Sequence, residues 1–184
     1  MSEAERILTA ALPARHEGVH LPPRMAEWPS DTGAYALIIA LPRSVPIPYR
    51  AGREVTFARG FNIYTGSALG PGGLRARIGR HLSPIETKRP HWHIDRLLEA
   101  SRIAAIWWEA TSSKRECAWA AALAQFGRRW PSRFGASDCG CAGHLIQMPS
   151  PQAIRQAWNL LKHEYPAIHR QCLPSSDPIL GDLP

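Results

Sequence analysis

The sequence has no apolar run approaching the roughly 18–20 residues of a membrane span, so a membrane is not among its expected partners. Its N-terminus, MSEAERILTA, lacks the basic start and long apolar region of a secretory signal, which predicts a cytoplasmic protein. Cysteine is scarce: four residues, at 117, 139, 141 and 172, are too few and too unevenly spaced for a disulfide framework, and the Cys139/Cys141 pair reads as reduced thiols. No internal repeat is visible. Acidic residues are short in the middle of the chain. Between Arg43 and Arg133 stand 16 Lys and Arg against 6 Asp and Glu, a net of +10, while the remainder holds 6 against 9, a net of −3. That asymmetry favours a polyanionic partner, although basic composition also occurs in proteins that bind no nucleic acid.

What is present is ordinary globular material: 45% hydrophobic and 20% charged residues exclude wholesale disorder, and 184 residues suffice for one domain with a sizeable core. The pattern divides into an N-terminal arm (1–30), a central domain (31–149), and a C-terminal helix with a Pro-rich tail (150–184). A short helix is expected over Ser2–Ala11. Gly33–Leu41 reads as a buried strand ending at Pro42, Arg43–Gly52 as a proline-bearing loop, and Glu54–Ala58 as a second strand. His91–Ala100 has helical spacing, and Ile103–Trp108 is strand-like. A helix over Ser113–Phe126 has Ser113 as its cap and Glu116 three residues on, as in a capping box. After a loop over 132–143, His144–Met148 suits a strand and Pro151–Lys162 a helix. The expected fold class is α+β, a small antiparallel or mixed central sheet flanked by helices.

The densest stretch is Gly60–His81, GFNIYTGSALGPGGLRARIGRH. Phe61, Ile63 and Thr65 alternate with Asn62 and Tyr64, as on a pleated strand with two unlike faces. Glycines at 66, 70, 72 and 73 then break the chain, and Leu74, Ile78 and Leu82 recur four apart as the apolar stripe of a helix. Arg77 and His81 share a face of that helix and can reach one small ligand together. Tyr35 and Tyr64 are candidate proton acceptors, and equally ordinary sheet tyrosines. Arg77 forks two donors suited to a phosphate, and His81 can exchange a proton near neutral pH.

Gly33-Ala34-Tyr35, then Tyr64-Thr65-Gly66, then Arg77-Ile78-Gly79-Arg80-His81 resemble, in order, the motifs of the GIY-YIG nuclease superfamily. Ala34 stands where the name has its first isoleucine, and Thr65 replaces the second. SALGPGGL, PHWHID and SDCGC-x-x-H are similar to a GIY-YIG-like branch of that superfamily, and the likeness runs roughly from Thr32 to Met148. The resemblance implies an endonuclease that hydrolyses phosphodiester bonds. It makes Tyr35 a participant in activating water, Tyr64 part of the phosphate pocket, Arg77 the phosphate ligand and His81 a neighbouring catalytic group. It also makes Glu116, the acid of the helix over 113–126, the ligand of one divalent metal. A lone carboxylate with waters suits Mg²⁺ or Mn²⁺. Glu116 as a simple helix cap remains the competing reading, with Glu109 as the fallback ligand. LGPGG lengthens the turn before the arginine helix, which leaves Arg75 as an alternative to Arg77. The expected partner is nucleic acid, DNA in the first instance, contacted by Ser67, Arg75, Arg80, Lys88, Arg89, His91 and His93. A nucleic-acid-binding module without cleavage, or a phosphate-ester enzyme on another substrate, fits the same residues.

Cys139, Cys141 and His144 have metal-capable side chains, but C-x-C-x-x-H lacks the paired C-x-x-C knuckles of structural zinc sites. Members of the similar branch carry a cysteine where this chain has Ala136. With three candidates and no fourth beyond a distant His91 or His93, no stoichiometric zinc is expected. His91, His93 and Asp95 alternate, so an extended segment aims all three one way, whereas a helix pairs His91 with Asp95. Of the seven tryptophans, most have the mixed apolar neighbours of core packing.

Overall fold

The structure, a computed structural model, describes residues 28–49, 53–87 and 93–174. The expected Ser2–Ala11 helix and the Pro-rich end lie outside these residues, as do Lys88, Arg89 and His91. In chain order the described elements are β1 (Gly33–Leu41), β2 (Val45–Pro48), β3 (Glu54–Phe57), β4 (Gly60–Ser67), α1 (Gly73–Leu82), α2 (His93–Glu99), β5 (Arg102–Ala110), α3 (Glu116–Leu123), β6 (Arg128–Arg129), β7 (Leu145–Met148), α4 (Pro151–Glu164) and β8 (His169–Cys172). Six strands form one sheet in the order β6-β7-β4-β1-β5-β8, every neighbouring pair antiparallel, and β2 and β3 form a separate hairpin. The fold is α+β, as the sequence predicts.

β1 lies at the centre and is buried along its whole length. Its alternating side chains feed two cores. Ala34, Ala36, Ile38 and Ala40 face a cluster completed by Trp119 and Leu123 of α3 and Ile154, Ala157 and Leu161 of α4. Tyr35, Leu37, Ile39 and Leu41 face a second cluster with Leu74 and Ile78 of α1, Ile94 and Leu97 of α2, and Ile47 and Phe57 of the hairpin. A strand covered on both faces needs apolar residues at every position, which is why GAYALIIAL shows no polar alternation.

Local chemistry sets several boundaries. The Ser150 side chain accepts from Ala153 N at 3.2 Å, and Pro151 opens α4 where its missing N–H costs nothing. Proline-bearing Val45–Pro48, read from sequence as loop, is a strand that among the described residues pairs only with β3, so its prolines sit on a two-stranded ribbon. Ser113–Phe126 is helical only over Glu116–Leu123: Arg115 is the N-cap, and no side chain caps the end. The capping-box arrangement of Ser113 and Glu116 is therefore not formed.

Candidate functional site

A cavity of roughly 600 Å³ opens at the end of the sheet where β1 starts and β4 finishes. Register creates it. Antiparallel pairing sets Tyr35 opposite Gly66 and Leu37 opposite Tyr64, so both phenol rings emerge on the α1 face of adjacent strands. Any Cβ at Gly66 would collide with the hydroxyl end of the Tyr35 ring, which gives that glycine its place in Tyr64-Thr65-Gly66. Gly73, with φ +54, lets the start of α1 touch the chain ahead of β1, where Leu74 N and Arg75 N donate to Asp31 O and Pro29 O, both at 2.9 Å. These bonds anchor the helix, and the cavity receives Arg77, one turn in. His81, one turn further and only 4% exposed, stands behind Tyr35, with Nε2 at 2.7 Å from the Tyr35 hydroxyl.

Tyr35, Tyr64, Ser67, Arg77, His93 and Glu116 all line this cavity. Arg75, Arg80 and Glu109 are not among its lining residues. Arg75 donates from Nε to Trp28 O at 2.9 Å, away from the cavity. Arg80 bonds Asp95, which is fully buried, at 2.8 Å and ties α1 to α2. Glu109 pairs with Arg115 at 3.7 Å and does not line the cavity. The segment between β6 and β7 adds residues that sequence reasoning missed: Arg133, Phe134 and Asp138. Nothing periodic marks them, although Gly135 at φ +70 fits a loop pressed against the Tyr64 ring. The charged lining is balanced, Arg77 and Arg133 against Glu116 and Asp138, rather than uniformly basic.

Burial dominates the phenols. Desolvation, reinforced by the neighbouring Tyr64, holds the Tyr35 hydroxyl well above the ordinary phenol range, and Arg77 only partly offsets it. The same burial pushes Tyr64 up to about 12, again with Arg77 pulling down. Both are neutral at physiological pH, so neither serves as a standing phenolate base. The Glu116 carboxylate is 4% exposed, lies 3.7 Å from Lys114 Nζ through Oε1, and has its buried Oε2 without a hydrogen-bond partner among the described residues.

The cofactor expectation is corrected here. Cys117, on the first turn of α3, meets Cys139, Cys141 and His144, and the four ligand atoms lie within 4.8 Å of one another. This Cys₃His group can hold a metal such as zinc, and among the described residues it is the one metal-capable group of three or more His, Cys, Asp or Glu side chains. Sulfur-rich donors suit a thiophilic ion, whereas Mg²⁺ and Mn²⁺ prefer oxygen, and the described residues hold no cluster of three or more carboxylates. The expectation of Mg²⁺ or Mn²⁺ without zinc thus fails, because the fourth ligand comes from a helix 22 residues before Cys139 in the sequence. Burial holds the His144 imidazole below its ordinary value, so it is neutral, as a ligand must be.

Among the described residues no helix is long and apolar enough to cross a membrane. No curated protein and no solved structure matches the chain. Residues 34–166 match a family model described as a domain of unknown function, DUF123, and the chain belongs to that family.

Proposed function

We propose that the chain binds nucleic acid and hydrolyses phosphodiester bonds in the cavity lined by Tyr35, Tyr64, Arg77 and Glu116, acting in the cytoplasm as a GIY-YIG-like endonuclease. The observation that carries this reading is the 2.7 Å contact between the Tyr35 hydroxyl and His81 Nε2 beside Arg77. A buried phenol that resists ionisation can still move a proton if it passes its own onward. In the proposed step, attacking water gives its proton to Tyr35 as Tyr35 gives its proton to His81 Nε2. The water oxygen bonds phosphorus, the bond to the leaving oxygen breaks, and that oxygen takes a proton from solvent. Arg77 stabilises the charge developing on the phosphoryl oxygens, and losing such a donor typically costs about 10²–10³ in rate. The unpaired Glu116 Oε2 is free to accept from the attacking water and hold it in line.

The test incubates the full chain with branched, nicked and single-stranded DNA and RNA, with and without added divalent cation. Product from wild-type protein that disappears in Arg77→Ala supports hydrolysis. Salt-sensitive binding with no product from any substrate favours a binding module instead.

A further inference from the structure

We infer that Cys117, Cys139, Cys141 and His144 bind one zinc ion, which clamps the wall of the cavity. Distances carry this. For zinc–sulfur and zinc–nitrogen bonds of about 2.3 and about 2.0–2.1 Å, a tetrahedron separates sulfur from nitrogen by about 3.5–3.6 Å. Cys139 Sγ and Cys117 Sγ lie 3.5 and 3.6 Å from His144 Nε2. One ring nitrogen accepts a single S–H bond, so two sulfurs at that separation, with Cys141 in the same 4.8 Å cluster, share a common centre. On binding, the three thiols release their protons to solvent and the imidazole stays neutral, leaving a site of net charge −1. Four protein ligands close the coordination shell, which marks a structural ion rather than one holding a reactive water.

The ligands come from two segments that also build the cavity. Cys117 adjoins Glu116 on α3, and Cys139 adjoins Asp138 in the stretch before β7. Thr65 of β4 holds both: its N–H donates to His144 O at 2.9 Å and its hydroxyl to Glu116 O at 3.0 Å. Residues 132–144 contain no helix or strand, so a metal crosslink to α3 supplies the fixing that their own backbone lacks.

Cys172, exposed and outside the cluster, is an internal control. Protein purified without added metal should contain one zinc per chain. A thiol reagent should modify one cysteine at once and three more only after a strong chelator is added. Cys139→Ser should lose the zinc and Cys172→Ser should keep it. Zinc content is read without any cleavage assay, so a zinc-loaded protein that cuts nothing leaves the site standing. Metal-free protein that takes up no zinc on titration, four thiols reacting at one rate, or a disulfide among the three ligand cysteines would each overturn the inference.

Discussion

Tyr35→Phe deletes the 2.7 Å bond to His81 Nε2 and nothing larger. Cleavage should fall by roughly 10²–10⁴, the range for a lost proton-transfer group, while nucleic-acid affinity holds, checked by single-turnover assay and titration. A second expectation concerns pH. A phenol kept protonated in the folded chain ionises more readily once unfolded, so above pH 10 the unfolded state binds fewer protons. Stability contributed by Tyr64 should be fully present below about pH 10 and lost as pH climbs towards about 12, and Tyr64→Phe should flatten that decline in alkaline melting curves. Tyr35, Tyr64, Arg77 and His81 were singled out by the resemblance of their motifs, since spacing alone reads them equally well as sheet and surface residues. Cys117 was not. Its partnership with Cys139 depends on how α3 packs against β4, and no local spacing records that.

At the scale of elements, the strand-to-glycine transition of β4 is the most sensitive joint. Gly66→Ala drives a Cβ into the hydroxyl end of the Tyr35 ring, which must shift and break its bond to His81. The expected outcome is loss of cleavage together with a lowered melting temperature, unlike Tyr35→Phe, which should spare stability to within about 1–2 kcal/mol. On the opposite face, Leu161→Ala in α4 removes a fully buried side chain from the core and should cost about 2–5 kcal/mol in denaturant unfolding without touching the cavity. The sequence displays β1 and β5 as apolar runs, β4, α1 and α2 through periodicity, and α3 and α4 through composition and helix-start residues. It conceals β6 and β8, Arg128–Arg129 and His169–Cys172, because these are polar edge strands whose pairing is decided by β7 and β5. The real start of α3 was likewise hidden, since Ser113 and Glu116 have cap chemistry but the chain turns helical only at Glu116.

For the whole molecule, binding and cutting draw on different groups. Affinity for nucleic acid should come from the many arginines between 43 and 133 and fall steeply with salt, as each neutralised phosphate releases counterions. Cleavage should hang on the few residues at the end of the sheet, where the lining charge is balanced and specificity of position outweighs net attraction. The most direct measurement is therefore a paired one, affinity and single-turnover cleavage on the same substrates for wild type, Arg77→Ala and Arg75→Ala. Arg77→Ala should lose cleavage by about 10²-fold or more with a melting temperature within a few degrees of wild type, because a half-exposed arginine removes little packing. Arg75→Ala, whose Nε serves Trp28 O, should cut like wild type. Equal cleavage by wild type and Arg77→Ala, or a large loss confined to Arg75→Ala, would contradict the assignment of this cavity as the place where phosphodiester bonds are broken.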